Sequence, residues 1–453
     1  MQTRAHPRRT DINCAAMEYV CGDATGLLIP AHIDALRSGG ETFLTESFRV
    51  FGSLSSDNRI TRITRFETCP GGSTGQKLLL SVEYEQSDAR LHTDLFVKFS
   101  RDFADPIRDD RGKHEMESEV RFAAISRLPG FPINVPTAYF ADYHHESCTG
   151  ILITQRIGFG TGGIEPHHAK CSDHDLLEPV AYYRVIVQAL ARLAASHKSG
   201  RLSPVIIARF PFDPGIAAGS NPIPFDAREL RIRVARYSDF AVRYSQLLPA
   251  NITAPAFIAK LDQQVGRFLE HDATIKRFLL SNPDFIALCH WNANIDNAWF
   301  WRDASGALQC GLMDWGHVNQ MSVAYALWGC LSGAGLEVWN CHLDELLTLF
   351  TAELCEHGGP RLAVAELKLH LQLYAARMAL AYFLECPARI LFRMPDVAAA
   401  SGPLDPMFRH NDTARNQLSM LTVVMNLWES HDFGAVLDRL LERMPAAAGQ
   451  TSV

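Results

Sequence analysis

No stretch of this 453-residue chain approaches the roughly 20 consecutive apolar residues that a helix needs to cross a bilayer. Basic charge is not in excess either. Lysine and arginine number 43 against 50 aspartates and glutamates, a net charge of -7, so no global positive field argues for nucleic acid. The 11 cysteines are scattered, with no C-x-x-C pair and no paired metal spacing. That excludes a disulfide framework of the secreted kind and reads as reduced thiols. The first residues, MQTRAHPRRTDINCAAMEYV, carry arginines but no apolar core of signal-peptide length. The expectation is a soluble, cytoplasmic protein with no membrane and no nucleic-acid partner. No internal repeat is present. A hydrophobic content of 47% is ordinary for a globular protein, and the length suffices for two sizeable cores.

Polar chemistry is concentrated in one stretch, Leu288 to Val318, LCHWNANIDNAWFWRDASGALQCGLMDWGHV. Two apolar runs flank a turn that holds His290, Asn292, Asn294, Asp296 and Asn297. A second polar point, Asp314-Trp315-Gly316, follows the apolar run Cys310 to Met313. A strand, an oxygen-bearing turn, a short strand pair and a further carboxylate make an oxygen-rich site. Such a site suits Mg²⁺, which takes oxygen ligands and shares them with substrate phosphates.

Upstream, Ile60–Phe66, Leu78–Tyr84 and Leu95–Phe99 read as strands. Between the first two lies the turn Cys69-Pro70-Gly71-Gly72-Ser73-Thr74-Gly75-Gln76-Lys77. Glycines at a hairpin tip let backbone amides approach phosphate oxygens; an ordinary hairpin turn is the alternative. Lys98 stands inside the apolar run LFVKFS, where an unpaired charge is costly, unless the alternation puts it on a solvent face. The segment His114–Leu128 has helical periodicity, with Val120, Ala123, Ala124 and Leu128 on one face. Glu119 begins that face and is the natural partner for Lys98, ahead of its rivals Glu115 and Glu117. GILITQRI, ending at Ile157, reads as a buried strand. The glycines after it, GFGTGG, open no βαβ unit and are discounted as a second phosphate loop.

In this order the motifs resemble those of the protein-kinase-like phosphotransferases, above all the aminoglycoside phosphotransferase and choline kinase branch. That family writes H-x-D-x-x-x-x-N, a hairpin, then an apolar run ending in D-W or D-F-G. His290, Asn297 and Asp314 match its histidine and its two metal-binding residues. Asn292 falls where the family has its catalytic aspartate, and Asn294 where a second histidine is common. The resemblance covers residues 60 to 335. It implies an α+β, bilobal fold, with a small β-rich N-lobe bearing one key helix and a larger, mainly helical C-lobe. It also implies ATP and Mg²⁺ as cofactors. Phosphates would lie under Gly71, Gly72, Ser73, Thr74 and Gly75 and be held by Lys98, which Glu119 orients. Adenine would meet the hinge Thr154, Gln155, Arg156 and Ile157. The metal would be bound by Asn297 and Asp314.

The expected organisation is a leader with a short helix (1–50), the nucleotide-binding sheet and hinge (51–157), a helical C-lobe (158–445) and a tail (446–453). Within the C-lobe, Tyr182–His197 is a regular amphipathic helix; His197 matches the end of a family helix and reads as a structural histidine. The helix from Ala227 to Leu247 carries Arg228, Arg231, Arg233 and Arg236, which could grip an anionic acceptor or form a solvated face. Further helices are expected at 257–280, 321–331, 343–355, 367–383 and 418–427.

Asn292 cannot take a proton at neutral pH, and loss of a general base costs about 10²- to 10⁴-fold. Three readings follow: Asp296 supplies the carboxylate, the acceptor is already ionised, or nucleotide is bound without transfer. The expected function is ATP- and Mg²⁺-dependent transfer of the γ-phosphate to a small-molecule acceptor, neutral or anionic. A pseudokinase that only binds nucleotide is the alternative, and transfer of AMP by a reversed nucleotide is a third. No A-P-E segment follows Asp314, which argues against a protein substrate.

Overall fold

The computed structural model describes residues 18–443, apart from Ser73 and Ser203. Ser73 of the glycine turn, the first 17 residues and the tail therefore lie outside the described residues. The chain divides into two compact units. One comprises residues up to Phe131, Val135–Gly158 and Asp314–Val318; the other comprises Pro132–Asn134, Phe159–Met313 and the chain from Asn319 onward. The Asp314-Trp315-Gly316 segment thus belongs to the first unit.

The first unit opens with a small hairpin, β1 (Tyr19–Cys21) and β2 (Leu28–Pro30), then helix α1 (Ile33–Val50). The pair Gly39-Gly40 kinks this helix without ending it. Gly40 leaves helical geometry (φ 51°, ψ -145°), and the helix resumes as far as Val50. Strands β3 (Ile60–Thr68), β4 (Lys77–Tyr84) and β5 (Asp94–Phe99) follow, then helix α2 (Pro106–Ser126), β6 (Ala138–His144) and β7 (Thr149–Gln155). The five strands form one antiparallel sheet in the order β3-β4-β5-β7-β6.

Alternation assigns the two faces of this sheet. Leu78, Leu80, Leu95, Val97, Ile151 and Ile153 are buried together with Phe43, Leu44 and Phe48 of α1. On the opposite face, Ala138, Ala141 and Leu152 pack on Met116, Val120 and Ala123 of α2. Helix α2 starts eight residues before the expected His114. The side chain of Asp105 caps the amides of Ile107 and Arg108, and Pro106 occupies the first turn, where its missing N–H costs nothing.

The second unit is mainly helical. Helix α3 (Pro179–Lys198) packs against the hairpin of β9 (Ala298–Arg302) with β10 (Leu308–Leu312), and against β8 (Ile286–Cys289), which pairs with β11 (Asn319–Ser322). The run expected as one helix at 257–280 is two, Pro255–Glu270 and Asp272–Ser281, broken at His271 (φ -98°, ψ 9°). Helices Val323–Leu331, Leu343–Glu356, Val364–Ala381 and Asp412–Ser430 fall on the remaining expected segments. The α+β expectation, a β-rich first part with one key helix and a helical remainder, describes these two units. Among the described residues no helix is long and apolar enough to cross a membrane.

Candidate active site

In the first unit, Lys98 is the centre. It lies on the β5 face opposite the core residues Leu95 and Val97, yet it is buried, so the solvent-face alternative does not hold. Its ammonium donates to Glu119 Oε2 and to Asp314 Oδ1, each at 2.7 Å. Of the rival glutamates, Glu115 approaches His317 (3.7 Å), and Glu117 pairs with Arg121 and His145. Burial disfavours the Lys98 charge, but the two carboxylates outweigh it and hold the ammonium well above the usual lysine range. Burial raises the Glu119 carboxyl, against the pull of Lys98.

Asp314 adopts left-handed backbone geometry (φ 63°), which a non-glycine residue adopts at a cost. What fixes it is the neighbouring residue. The amide of Trp315 donates to Glu119 Oε1 at 3.3 Å, and its indole stacks on Phe122 of α2, 3.8 Å between ring centres. Glu119 therefore orients both Lys98 and the backbone after Asp314. The Asp314 side chain itself is 49% exposed.

The glycine turn packs tightly on its surroundings. Gly75 has φ +43°, and a Cβ there would lie 1.8 Å from the Phe99 carbonyl oxygen. A Cβ on Gly112 of α2 would lie 2.0 Å from the Ser100 oxygen and 3.1 Å from Gly75 N. The Gly75 amide donates to the Arg108 carbonyl and the Gln76 amide to that of Arg101. These amides hold the turn to the protein rather than presenting donors outward. Thr74 is buried, whereas Gly71 and Gly72 are exposed.

Two cations approach the turn that the sequence reading did not single out. Lys77 Nζ donates to Thr74 O at 2.8 Å and to Gly71 O at 3.4 Å. Arg108 donates to Gly75 O at 2.5 Å and to Gly71 O at 3.3 Å. The available signal was pairing: Lys77 is the register partner of Lys98 across β4 and β5, so both project from one face. Arg108 was hidden by the late start assigned to its helix.

Thr154 to Ile157, expected as the adenine-binding hinge, sit at and just beyond the end of β7. Thr154 is the register partner of Phe96, on the same face as Lys98. Gln155 N donates to Thr137 O, and Arg156 binds Asp94 through both its amide (3.1 Å) and its guanidinium (3.0 Å). The sheet thus occupies the amides of Gln155 and Arg156, and Ile157 lies just beyond the strand.

In the second unit, the turn after β8 is held by its own polar side chains. His290 Nδ1 accepts from the Asn292 amide (3.1 Å), so Nε2 carries the proton it donates to Met313 O at 2.8 Å. Its imidazole braces the turn. Asn297 Nδ2 donates to Asn292 O (2.8 Å), and the Met313 amide donates to Asn297 O (2.9 Å). Asn292 Oδ1 accepts from Asn294 Nδ2 at 2.7 Å, and Asn294 Oδ1 accepts from Ser332 at 3.4 Å. The Asp296 carbonyl accepts from His167 (2.9 Å), and Oδ1 of its carboxylate is buried. Gly329 lets the turn lie this close: a Cβ there would meet the Trp291 oxygen at 1.5 Å.

His197 is half-buried on α3, and burial lowers it to about 4, which suits the structural reading. Of the four arginines Arg228, Arg231, Arg233 and Arg236 singled out on the helix Ala227–Arg243, Arg233 and Arg236 are directed at Glu385 (2.8 and 3.6 Å), and Arg233 also lies over the Phe225 ring. A cavity of about 470 Å³ within this unit, between Cys171–Asp175 and Asp412–Val423, is lined by none of the four. Among the described residues no cluster of three or more His, Cys, Asp or Glu could hold a metal ion.

No protein-family model and no curated protein sequence matches this chain. Its fold is similar to those of several solved structures. A microcompartment-associated aminopropanol kinase is 15% identical over 84% of this chain and 95% of its own, with a TM-score of 0.42. For an ethanolamine kinase of Plasmodium vivax the figures are 12%, 81% and 83%, with a TM-score of 0.41. A choline/ethanolamine kinase family protein of Mesorhizobium loti is 15% identical over 83% of this chain and 92% of its own, with a TM-score of 0.38.

Proposed function

We propose that this protein is a nucleotide-dependent phosphotransferase acting on a small-molecule hydroxyl, with ATP as donor and Mg²⁺ as cofactor. The observation that carries the reading is Lys98, buried and shared between Glu119 and Asp314 at 2.7 Å. A buried lysine held charged by one enclosed and one half-exposed carboxylate suits an anionic ligand. Phosphate oxygens replace the exposed partner, while the enclosed one keeps the ammonium aimed.

The donor chemistry fits Mg²⁺. Asp314 offers a half-exposed carboxylate, and the Asn297 amide is oriented by its Nδ2 bond to the Asn292 carbonyl. Each is an oxygen donor of the kind Mg²⁺ takes, the ion completing its shell with phosphate and water. When bound, Mg²⁺ would neutralise phosphate charge. The protein's own part is positional. Lys98 binds phosphate oxygen, Glu119 fixes Lys98 and the Trp315 amide, and His290 and Asn297 set the backbone around Asn292. The Asn292 amide oxygen, itself set by Asn294, orients an acceptor hydroxyl by accepting its hydrogen bond.

A second reading, nucleotide binding with little or no transfer, is favoured by one observation. The side chain that meets Asn292 Oδ1 is another amide, Asn294, so this contact supplies no base. Calorimetric titration of ATP into the full-length protein tests both readings. Saturable binding that requires Mg²⁺ and is lost in Asp314→Ala is expected; no binding by the wild type would sink both. Mass analysis of products from an acceptor panel then separates phosphoryl transfer, AMP transfer and binding alone.

A further inference from the structure

We propose that Lys77, whose ammonium rests on the carbonyls of the glycine turn, is a second phosphate-holding cation beside Lys98. The inference rests on the nucleotide reading above and adds a residue to it.

The geometry starts with strand register. Lys77 and Lys98 are directly paired across β4 and β5, and in an antiparallel pair opposed residues project from the same face. Ser81 and Asp94, four positions along, confirm the side: their side chains hydrogen-bond at 2.6 Å. Like charges placed opposite each other are destabilising; the Glu119 and Asp314 carboxylates that hold Lys98 offset part of this at Lys77, and burial with Lys98 and Arg108 outweighs them. The Lys77 head is kept from Lys98 by Thr74 O and Gly71 O, two neutral acceptors. These are weaker partners for an ammonium than a charged oxygen.

The turn is shaped around that head. A Cβ on Gly72 would stand 2.3 Å from Lys77 Nζ, so the glycine opens the space in which the ammonium rests. Arg108 also binds this turn, through the carbonyls of Gly75 and Gly71. Because the Gly75 and Gln76 amides are bonded inward, positive charge at this end of the sheet comes from side chains. The facing groups are Lys98 on β5, Arg108 and Glu119 on α2, and Asp314. Burial, Lys98 and Arg108 together lower the Lys77 ammonium to about 8, a destabilised cation that an anion would relieve.

Two experiments on the full-length protein test this. In the first, inorganic tripolyphosphate and ATP are titrated into wild type and Lys77→Met. A loss of affinity for both of about tenfold or more in the variant is expected, the scale of one charge-assisted contact. The second uses wild type only, so it holds even if the variant fails to fold. Lysines are trace-acetylated at pH 8 with and without tripolyphosphate, and modification of Lys77 is read by mass spectrometry. Tripolyphosphate is expected to slow acetylation of Lys77 several-fold. Wild-type binding with unchanged affinity in Lys77→Met, or with an unprotected Lys77, would overturn this inference and leave the nucleotide reading standing. Failure of wild type to bind either probe would overturn both.

Discussion

Lys98 and Asp314 are 216 positions apart in the chain, yet their side chains meet at 2.7 Å. The same ammonium holds the enclosed Glu119 at 2.7 Å, so the stability of this unit and the proposed phosphate contact rest on one residue. Removing Lys98 leaves Glu119 buried without its cation, which costs about 3 kcal/mol; the half-exposed Asp314 contributes little because solvent screens it. Lys98→Met is expected to lower unfolding stability by that amount in denaturant melts and to abolish ATP binding. Lys98→Met/Glu119→Gln is expected to recover most of the stability and none of the binding. Recovery of both would remove Lys98 from the nucleotide site.

The glycines of the turn are not equivalent. At Gly75 an added Cβ meets main chain at 1.8 Å, and main chain cannot swing aside. At Gly71 a Cβ meets nothing within 4 Å, although φ is +95°. Gly75→Ala is expected to destabilise by about 2–4 kcal/mol through clash and positive φ together. Gly71→Ala is expected to cost about 1 kcal/mol, the backbone term alone. Equal losses in urea melts would show that the turn relaxes freely and is not packed on Phe99.

Much of this was legible in sequence because it is local or periodic. Alternation located β3 to β5, and an ionisable residue inside an apolar strand singled out Lys98. The 3.6-residue period located α2, and Glu119 stands at the start of its apolar face. What sequence could not show depends on partners distant in the chain. Nothing local reveals that Gly112 abuts Gly75, or that Trp315 stacks on Phe122 and so belongs with α2. The start of α2 was missed because its cap, Asp105-Pro106, precedes a polar first turn with no apolar periodicity. Arg108 went unnoticed with it. Lys77 was visible, but its meaning came only with strand register.

His370 provides an acid-sensitive element far in sequence from these motifs. Its ring is stacked on Phe285 at 4.1 Å, with Phe278 at 4.6 Å. Burial lowers it to about 4, with Glu366 raising and Arg443 lowering it further. Between the ordinary pKa near 6.5 and about 4, the unfolded chain binds a proton at this position and the native state does not. Stability is therefore whole above about pH 6.5 and falls as pH drops toward 4. The contribution is about 2–3 kcal/mol over that window. His370→Leu is expected to flatten this part of the stability profile, leaving a residual slope from His197, which is lowered in the same direction. An unchanged profile in urea melts across pH 4 to 7 would show that His370 titrates normally.

The sharpest chemical prediction concerns Asn292. Its Oδ1 already accepts a hydrogen bond from Asn294 Nδ2, its carbonyl accepts from Asn297, and its amide donates to His290. An aspartate is the same size, keeps an oxygen for Asn294, and alters none of the main-chain bonds. Asn292→Asp is thus expected to fold as wild type and to bind Mg²⁺-ATP within about threefold of it, since no nucleotide-binding role falls on this residue. The new carboxylate can accept a hydroxyl proton. Turnover, measured as acceptor-independent ATP hydrolysis or transfer to an identified acceptor, is expected to rise about 10²-fold or more. A rise would show that the positional machinery is competent and that the amide limits the natural rate. No rise with binding intact would mean that the site is built to hold nucleotide rather than to spend it.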